Sequence, residues 1–384
     1  MPHVTRHFPR ATRPSPFALR HSMRPILYLA ITNHGFGHAT RAAAVAAEIQ
    51  RLCPDVLLIL VTTAPRWLLE GYISGDFILR PRAYDIGVIQ TDSITMDKAA
   101  TLKKLQELKA RQASIIASEV NFIKQNRVGL ILADLPPLAA AIAQAANIPC
   151  YMMSNFGWDF IYQAWQNELP EFGEIVEWIQ GCFSQCDRLF RLPLHEPMSA
   201  FPQITDVGLT GGTPHYNSTQ LKHDLNLTAP KERTVLLTFG GLGLEQIPYQ
   251  NLEHFADWQF ITFDRNAPNL PNLIKLSSPQ YRPVDVMPIC YCMVSKPGYS
   301  SFSEACRQNL PIISITRDDF AEAPVLLRAT QNYVPHQILQ PAEFFTGTWE
   351  FLHEPFHPPL QTNEIVTDGN QEIAQAVLDF FHTQ

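Results

Sequence analysis

The chain has 384 residues, of which 46% are hydrophobic and 17% charged, with a formal net charge of −7. That length exceeds what one hydrophobic core usually organises, so two domains are expected, and the composition is that of a folded chain and not a disordered one. The negative balance excludes the broad positive footprint of a nucleic-acid binder. No apolar run reaches the length of a membrane span. A cytoplasmic protein is expected, with peripheral membrane contact and oligomeric state left open.

Residues 1–22 carry Arg6, Arg10, Arg13 and Arg20, several prolines and no acid. They lack the apolar stretch of a secretory signal. A targeting peptide is one reading; a disordered extension ahead of Met23 is the one adopted. Residues 25–32 (PILYLAIT) then form a continuous apolar run, the pattern of a strand buried on both faces. A Gly-containing loop over 33–38 leads into an Ala-rich helix over 40–52, with Thr40 as its cap, and a second buried strand over 56–62. This order opens a doubly wound parallel sheet. A helix over 98–125, a strand over 128–132 running on to Asp134, a helix over 138–146 and a strand over 150–154 continue it. A helix over 171–185 and a strand over 188–192 follow.

From 193 to 233 the chain carries prolines, the Gly211-Gly212 pair and no strong period, the signature of a linker. The linker is placed at 206–232, between an N-terminal domain over 23–205 and a C-terminal domain over 233–384. The second α/β series begins at Thr234, with strands over 259–263, 273–276, 291–295 and 311–316 and a helix over 300–308. A last helix over 371–381 aligns Ile373, Val377, Leu378 and Phe381 on one face. That stripe needs a cover, and the N-terminal domain is the candidate. The fold class expected is α/β, with two Rossmann-like doubly wound domains facing across a cleft.

Seven cysteines lack the spacing of a zinc site or a disulfide framework and read as core residues. No metal and no bound cofactor are expected. Neither a Walker phosphate loop nor the six-residue dinucleotide fingerprint is present, which weakens kinase and dehydrogenase readings.

Open α/β sheets bind ligands beyond the carboxyl ends of their strands, so the loops there carry the chemistry. After the strand ending at Ser295, Lys296-Pro297-Gly298 turns into a helix. Free backbone N–H groups at its start would suit a diphosphate, with Gly298 allowing close approach and Ser300 and Ser301 adding donors. Glu304, one turn on, could accept both hydroxyls of a ribose. A serine-capped helix with a glutamate suited to its dipole explains the same residues, and spacing alone does not choose. Gly240 and Gly241, in the loop after the strand at Thr234, offer a second place for backbone to meet phosphate or sugar.

In the first loop, His34 and His38 flank glycines, Gly35 among them. A neutral imidazole there suits a general base toward a hydroxyl, and Asp134 could orient it. Alternatively His38 starts a helix and Asp134 caps the next one. Asn155, Trp158 and Asp159 close another strand at the same edge and could hold an acceptor sugar; a core tryptophan and a capping aspartate are the other account. Asp318, Asp319 and Glu322, after the strand at 311–316, could bind donor-sugar hydroxyls.

Residues 296–306 (KPGYSSFSEAC), with Leu310-Pro311 and an apolar strand beyond, resemble the donor-binding region of GT-B glycosyltransferases, above all the peptidoglycan N-acetylglucosaminyl transferase family. The resemblance implies a helix start that holds a UDP diphosphate, Gly298 to Ser301 with Tyr299 included, and a ribose on Glu304. It also places His38 at the active site. A closer resemblance spans nearly everything from Met23 onward. Residues 34–41 (HGFGHATR), 154–162 (SNFGWDFIY), 191–193 (RLP) and 319–324 (DFAEAP) look like the N-terminal glycosyltransferase-like half of plant arabinokinases. Their kinase half has no counterpart here, so kinase activity is not carried over. Asp318 and Asp319 stand where the peptidoglycan enzymes place glutamines.

The function expected is metal-independent, inverting transfer of a sugar from a nucleotide-sugar, a UDP-sugar, to an acceptor hydroxyl. A nucleotide-sugar 2-epimerase and a non-catalytic sugar-nucleotide binder are the rivals.

Overall fold

The computed structural model describes residues 24–90, 96–240, 244, 247–317 and 319–383. The expected extension over 1–22, and the candidate site residues Gly241 and Asp318, lie outside them.

Two parallel sheets organise the chain. The first holds β1 (Ile26–Ile31), β2 (Leu57–Val61), β3 (Phe77–Arg80), β4 (Leu130–Asp134), β5 (Cys150–Ser154), β6 (Arg188–Arg191) and β7 (Ile204–Asp206). Their order is β3-β2-β1-β4-β5-β6-β7, every pairing parallel. The second holds β8 (Thr234–Thr238), β9 (Gln259–Thr262), β10 (Leu273–Lys275), β11 (Cys292–Ser295), β12 (Ile312–Ile315) and β13 (His336–Leu339), ordered β10-β9-β8-β11-β12-β13 and again parallel. Both have the Rossmann order, which reverses direction beside its first strand. The reversal falls between β1 and β4 in one sheet and between β8 and β11 in the other. The loops leaving these strands are those the sequence singles out.

The central strands are buried along nearly their whole length, as continuous apolar runs require. The helix Gly37–Leu52 buries Ala39, Ala42, Ala43, Ala46 and Ile49, and its small side chains let it lie close to its neighbours. One neighbour is the last helix, Gly369–Thr383, which packs against it and places Phe381 over Gly129 and Phe380 beside Tyr151 of the first sheet. A Cβ on Gly129 would stand 2.8 Å from Phe381, so any larger residue there would push that ring aside.

Thr40 is not the helix cap. The helix begins three residues earlier, and the Thr40 hydroxyl donates back to the Gly37 carbonyl at 3.0 Å. The strands β3, β7 and β13 were not expected from sequence, nor were several helices, of which Glu322–Tyr333 is the longest. The stretch between the sheets is also packed. Its short helix Ser218–Asp224 is capped by Asn217, and Gly211 and Gly212 lie against the helix Tyr299–Arg307.

Candidate functional site

A cavity of about 1030 Å³ opens where the carboxyl ends of β1, β8 and β11 face one another. It is large enough for a nucleotide-sized ligand, since small-molecule sites run to roughly 300–1,000 Å³.

The C-terminal wall starts from Lys296 and Gly298, just past β11. Gly298 caps the helix Tyr299–Arg307 in an extended conformation, and no side-chain hydrogen bond caps that helix start. Its first N–H groups therefore lack partners within the helix. A Cβ on Gly298 would meet nothing within 4 Å, so the space before it belongs to the cleft. Gly240 has φ +81°, a left-handed conformation that favours glycine, and its Cα faces the Lys296 side chain. Burial and the nearby Arg317 charge push Lys296 down to about 7, against the pull of Glu322. Ser301 lines the cleft, while Ser300 spends its hydroxyl proton on the Gly37 carbonyl at 2.7 Å.

Glu304 lines the same wall and is deeply buried. Its Oε1 accepts the Gly212 N–H at 2.8 Å, and burial pushes the carboxyl up to about 7. The Tyr72 hydroxyl, from the first half of the chain, stands 3.5 Å from the same oxygen. Arg307 holds the carbonyls of Gly211 and Gly212 at 2.6 and 2.8 Å, which fixes the loop against Glu304.

The opposite wall comes from the first loop and the end of β4. His38 Nδ1 lies 2.8 Å from Asp134 Oδ1, and both side chains are buried. Arg41 grips the same carboxylate, Nε to Oδ2 and Nη2 to Oδ1, each at 2.6 Å. Burial alone would raise Asp134, but Arg41 and His38 outweigh it and hold the carboxyl below its usual range. His38 is lowered by burial and by the Arg41 charge, with Asp134 opposing. His34 is stacked on Phe320 and accepts the Val88 N–H at Nδ1, 3.3 Å away. Burial first, then the charges of His38, Lys296 and Arg317, hold it well below the ordinary histidine value. Gly35 has φ +63°, the left-handed turn that lets the loop fold back.

Three residues expected at the acceptor site are elsewhere. Trp158 is in the core, its indole N–H toward Thr32 and its ring stacked on Tyr162, because a large flat side chain gains more from burial there. Asp159 is buried away from the cavity and accepts from Gln180 at 3.3 Å. Asn155 does not line the cavity but stands just behind it, accepting from Arg41 at 2.8 Å and donating to Glu322 Oε1 at 2.7 Å. Of the expected donor-sugar residues, Glu322 lines the cavity, whereas Asp319 is exposed and sits 3.6 Å from Lys98. Sequence reasoning gave no role to Arg41, Lys296 or Tyr72. Lys296 was signalled by its place directly after a strand; Tyr72 carries no sequence signal.

The fold has known counterparts. The Medicago truncatula UGT71G1 complexed with UDP-glucose superposes with a TM-score of 0.60 at 13% identity, covering 94% of this chain and 99% of that one. A structure described as a UDP-N-acetylglucosamine 2-epimerase from Listeria monocytogenes gives 0.55 at 13% identity, covering 92% and 91%. The chain thus has the GT-B architecture, two Rossmann-like domains, seen in solved glycosyltransferases. In sequence it is 30% identical over 327 residues, 83% of its length, to the L-arabinokinase of Arabidopsis thaliana. It spans only 31% of that protein. No family model matches the chain.

Proposed function

We propose that this chain is a glycosyltransferase that moves a sugar from a UDP-sugar to an acceptor hydroxyl, without a metal and with inversion. One observation carries the reading: an uncapped helix start with a half-buried lysine faces a histidine–aspartate pair across one cavity. The diphosphate would lie on the amides at Gly298 to Ser301, with Tyr299 beneath them and Lys296 and the Gly240 turn beside it. Helix start and ammonium would then stabilise the charge that grows on the leaving UDP. Glu304 would bind the ribose, and Glu322 a sugar hydroxyl. His38 Nε2 would take the acceptor proton as the hydroxyl attacks the anomeric carbon from the face opposite the diphosphate. Among the described residues, no three His, Cys, Asp or Glu side chains converge as a metal site.

The likeness in fold to the UGT71G1 structure complexed with UDP-glucose supports this reading. We place the acceptor-side domain at 23–205, the linker at 206–232 and the donor-side domain at 233–384. No described helix is long and apolar enough to cross a membrane. The test is to incubate the chain with a panel of UDP-sugars and candidate acceptors and follow free UDP. Acceptor-dependent UDP release is expected. Recovery of an intact UDP-sugar epimerised at C2 would favour the epimerase, whose fold this chain shares. Binding without turnover of any kind would leave a sugar-nucleotide sensor.

A further inference from the structure

We infer that Arg41 is a positioning residue for His38: it anchors Asp134 through both carboxylate oxygens and so fixes the imidazole with its Nδ1 proton on Asp134 and its Nε2 lone pair toward the cleft. The inference rests on the reading of His38 as the base and adds what determines its state.

Arg41 follows His38 by three residues on the helix Gly37–Leu52, so both side chains project from one face toward the end of β4. Arg41 and Asp134 are both buried. The guanidinium fork meets the carboxylate edge on, a geometry that arginine forms and lysine cannot. The remaining contacts are also built. Nη1 donates to Asn155 Oδ1 at 2.8 Å, and Nη2 lies 3.2 Å from Ser154 Oγ. A buried arginine with acceptors on every side is held in one orientation, and Asp134 is held with it.

That geometry selects the tautomer. Nδ1 stands 2.8 Å from Asp134 Oδ1 and 3.0 Å from Arg41 Nη2. An ionised carboxylate only accepts and a guanidinium only donates. With a proton on Nδ1, the short contact to Oδ1 is a charge-assisted hydrogen bond. Without it, two lone pairs would face each other across 2.8 Å in a buried site; the Arg41 Nη2 contact alone would favour that lone pair, but the two Nη2 protons are taken by Asp134 Oδ1 at 2.6 Å and Ser154 Oγ at 3.2 Å. The proton therefore belongs on Nδ1, and Nε2 is the nitrogen left to accept.

The charged groups around the ring come from every side. Arg41 lies on its own helix, Asp134 at the end of β4, His34 in the preceding loop at 6.4 Å between ring centroids, and Glu322 in the other half of the chain. Arg41 opposes a second proton on His38, so the ring stays a base at neutral pH. The same guanidinium reaches the donor wall, lying over the Tyr299 ring at 5.0 Å to its centroid. Asn155 extends the chain of contacts to Glu322. The base is thus aligned by groups that also touch the donor helix.

The test begins with the native chain. Nitrogen-15 shifts of His38 at neutral pH should report the Nδ1–H tautomer; an Nε2–H tautomer overturns the inference without any variant. Next, Arg41→Gln and Arg41→Lys, checked for folding by thermal unfolding, are followed by NMR titration of His38 and by pH profiles of kcat/KM. In Arg41→Gln the His38 midpoint should rise by a pH unit or more, because Asp134 remains and the opposing cation is gone. The acidic limb of kcat/KM should move up by the same amount. kcat at neutral pH should fall tenfold or more, with the donor KM within twofold. Arg41→Lys should restore the midpoint but not the rate. A folded Arg41→Gln variant whose His38 titrates as in the native chain refutes the anchoring role. Full turnover in His38→Ala would remove the base reading alone, since the tautomer and the midpoint shift are read without catalysis.

Discussion

Replacing Lys296 with methionine keeps the length of the side chain and removes one charge from the donor wall. The loss can be sized from the site. At an effective dielectric of about 20, unit charges about 4 Å apart attract by roughly 4 kcal/mol, but a hydrogen bond to a charged group nets only about 1.5–3 kcal/mol after desolvation. The smaller figure applies here, and it weakens UDP-glucose binding by roughly 10- to 150-fold. The unliganded protein should respond in the other direction. Burial and the neighbouring Arg317 hold Lys296 at about 7. A lysine lowered on folding penalises the folded state while it stays charged. That penalty is full below about pH 7 and fades as the pH rises toward the unfolded value near 10.4. Each pH unit of depression is about 1.36 kcal/mol, and because the side chain is only partly buried, about 2 kcal/mol is the expected gain from its removal at pH 6. Calorimetric titration with UDP-glucose at pH 7 measures the first effect, and thermal unfolding at pH 6 and pH 9 the second. Unchanged affinity, or a variant less stable than its parent at pH 6, would refute the reasoning.

Donor affinity should peak near neutral pH. Glu304 is lifted to about 7, so acid protonates it and takes away a ribose acceptor; alkali discharges Lys296. Calorimetry from pH 5.5 to 9 should show both limbs, the acid one flattened in Glu304→Gln and the alkaline one in Lys296→Met. His38→Ala should lower kcat by roughly 10²- to 10⁴-fold, the usual worth of a general base, with UDP-glucose binding within twofold of the parent. Gly212→Ala would bring a Cβ to 2.8 Å from the Tyr72 ring and 3.0 Å from both Glu304 Oε1 and Val284. It should cost about 1–3 kcal/mol, read as a lower Tm, and weaken donor binding as Glu304 is displaced. An unchanged Tm would show that the Gly212 contact is dispensable.

The sequence is legible where burial is two-sided. Strands such as β1, β2, β4 and β8 are unbroken apolar runs. β3 escapes because it is an edge strand that leaves Ile78 half in solvent, and β7 because all three of its residues are exposed. The helix Glu322–Tyr333 escapes for another reason: Pro324 lies in its first turn, where proline is tolerated, yet in sequence it reads as a breaker. The candidate site divides the same way. His38 and Asp134, 96 residues apart, could be paired because both stand at strand ends beside a topological switch. Arg41 could not be given its place, since an arginine in a helix ordinarily faces water and only the buried Asp134 draws it inward. Trp158 stays open in sequence because a tryptophan beyond a strand serves a sugar face or a core equally well, and here Thr32 and Tyr162 take it into the core.

The central claim is that a nucleotide sugar lies in the cleft with its diphosphate on the helix start past β11. Crystals of the chain soaked with UDP test it most directly. The account predicts density for two phosphates within hydrogen-bond reach of the amides at Gly298 to Ser301 and of Lys296 Nζ, with the ribose toward Glu304. A fully occupied UDP bound elsewhere, or a helix start that stays empty at saturating UDP, would contradict it.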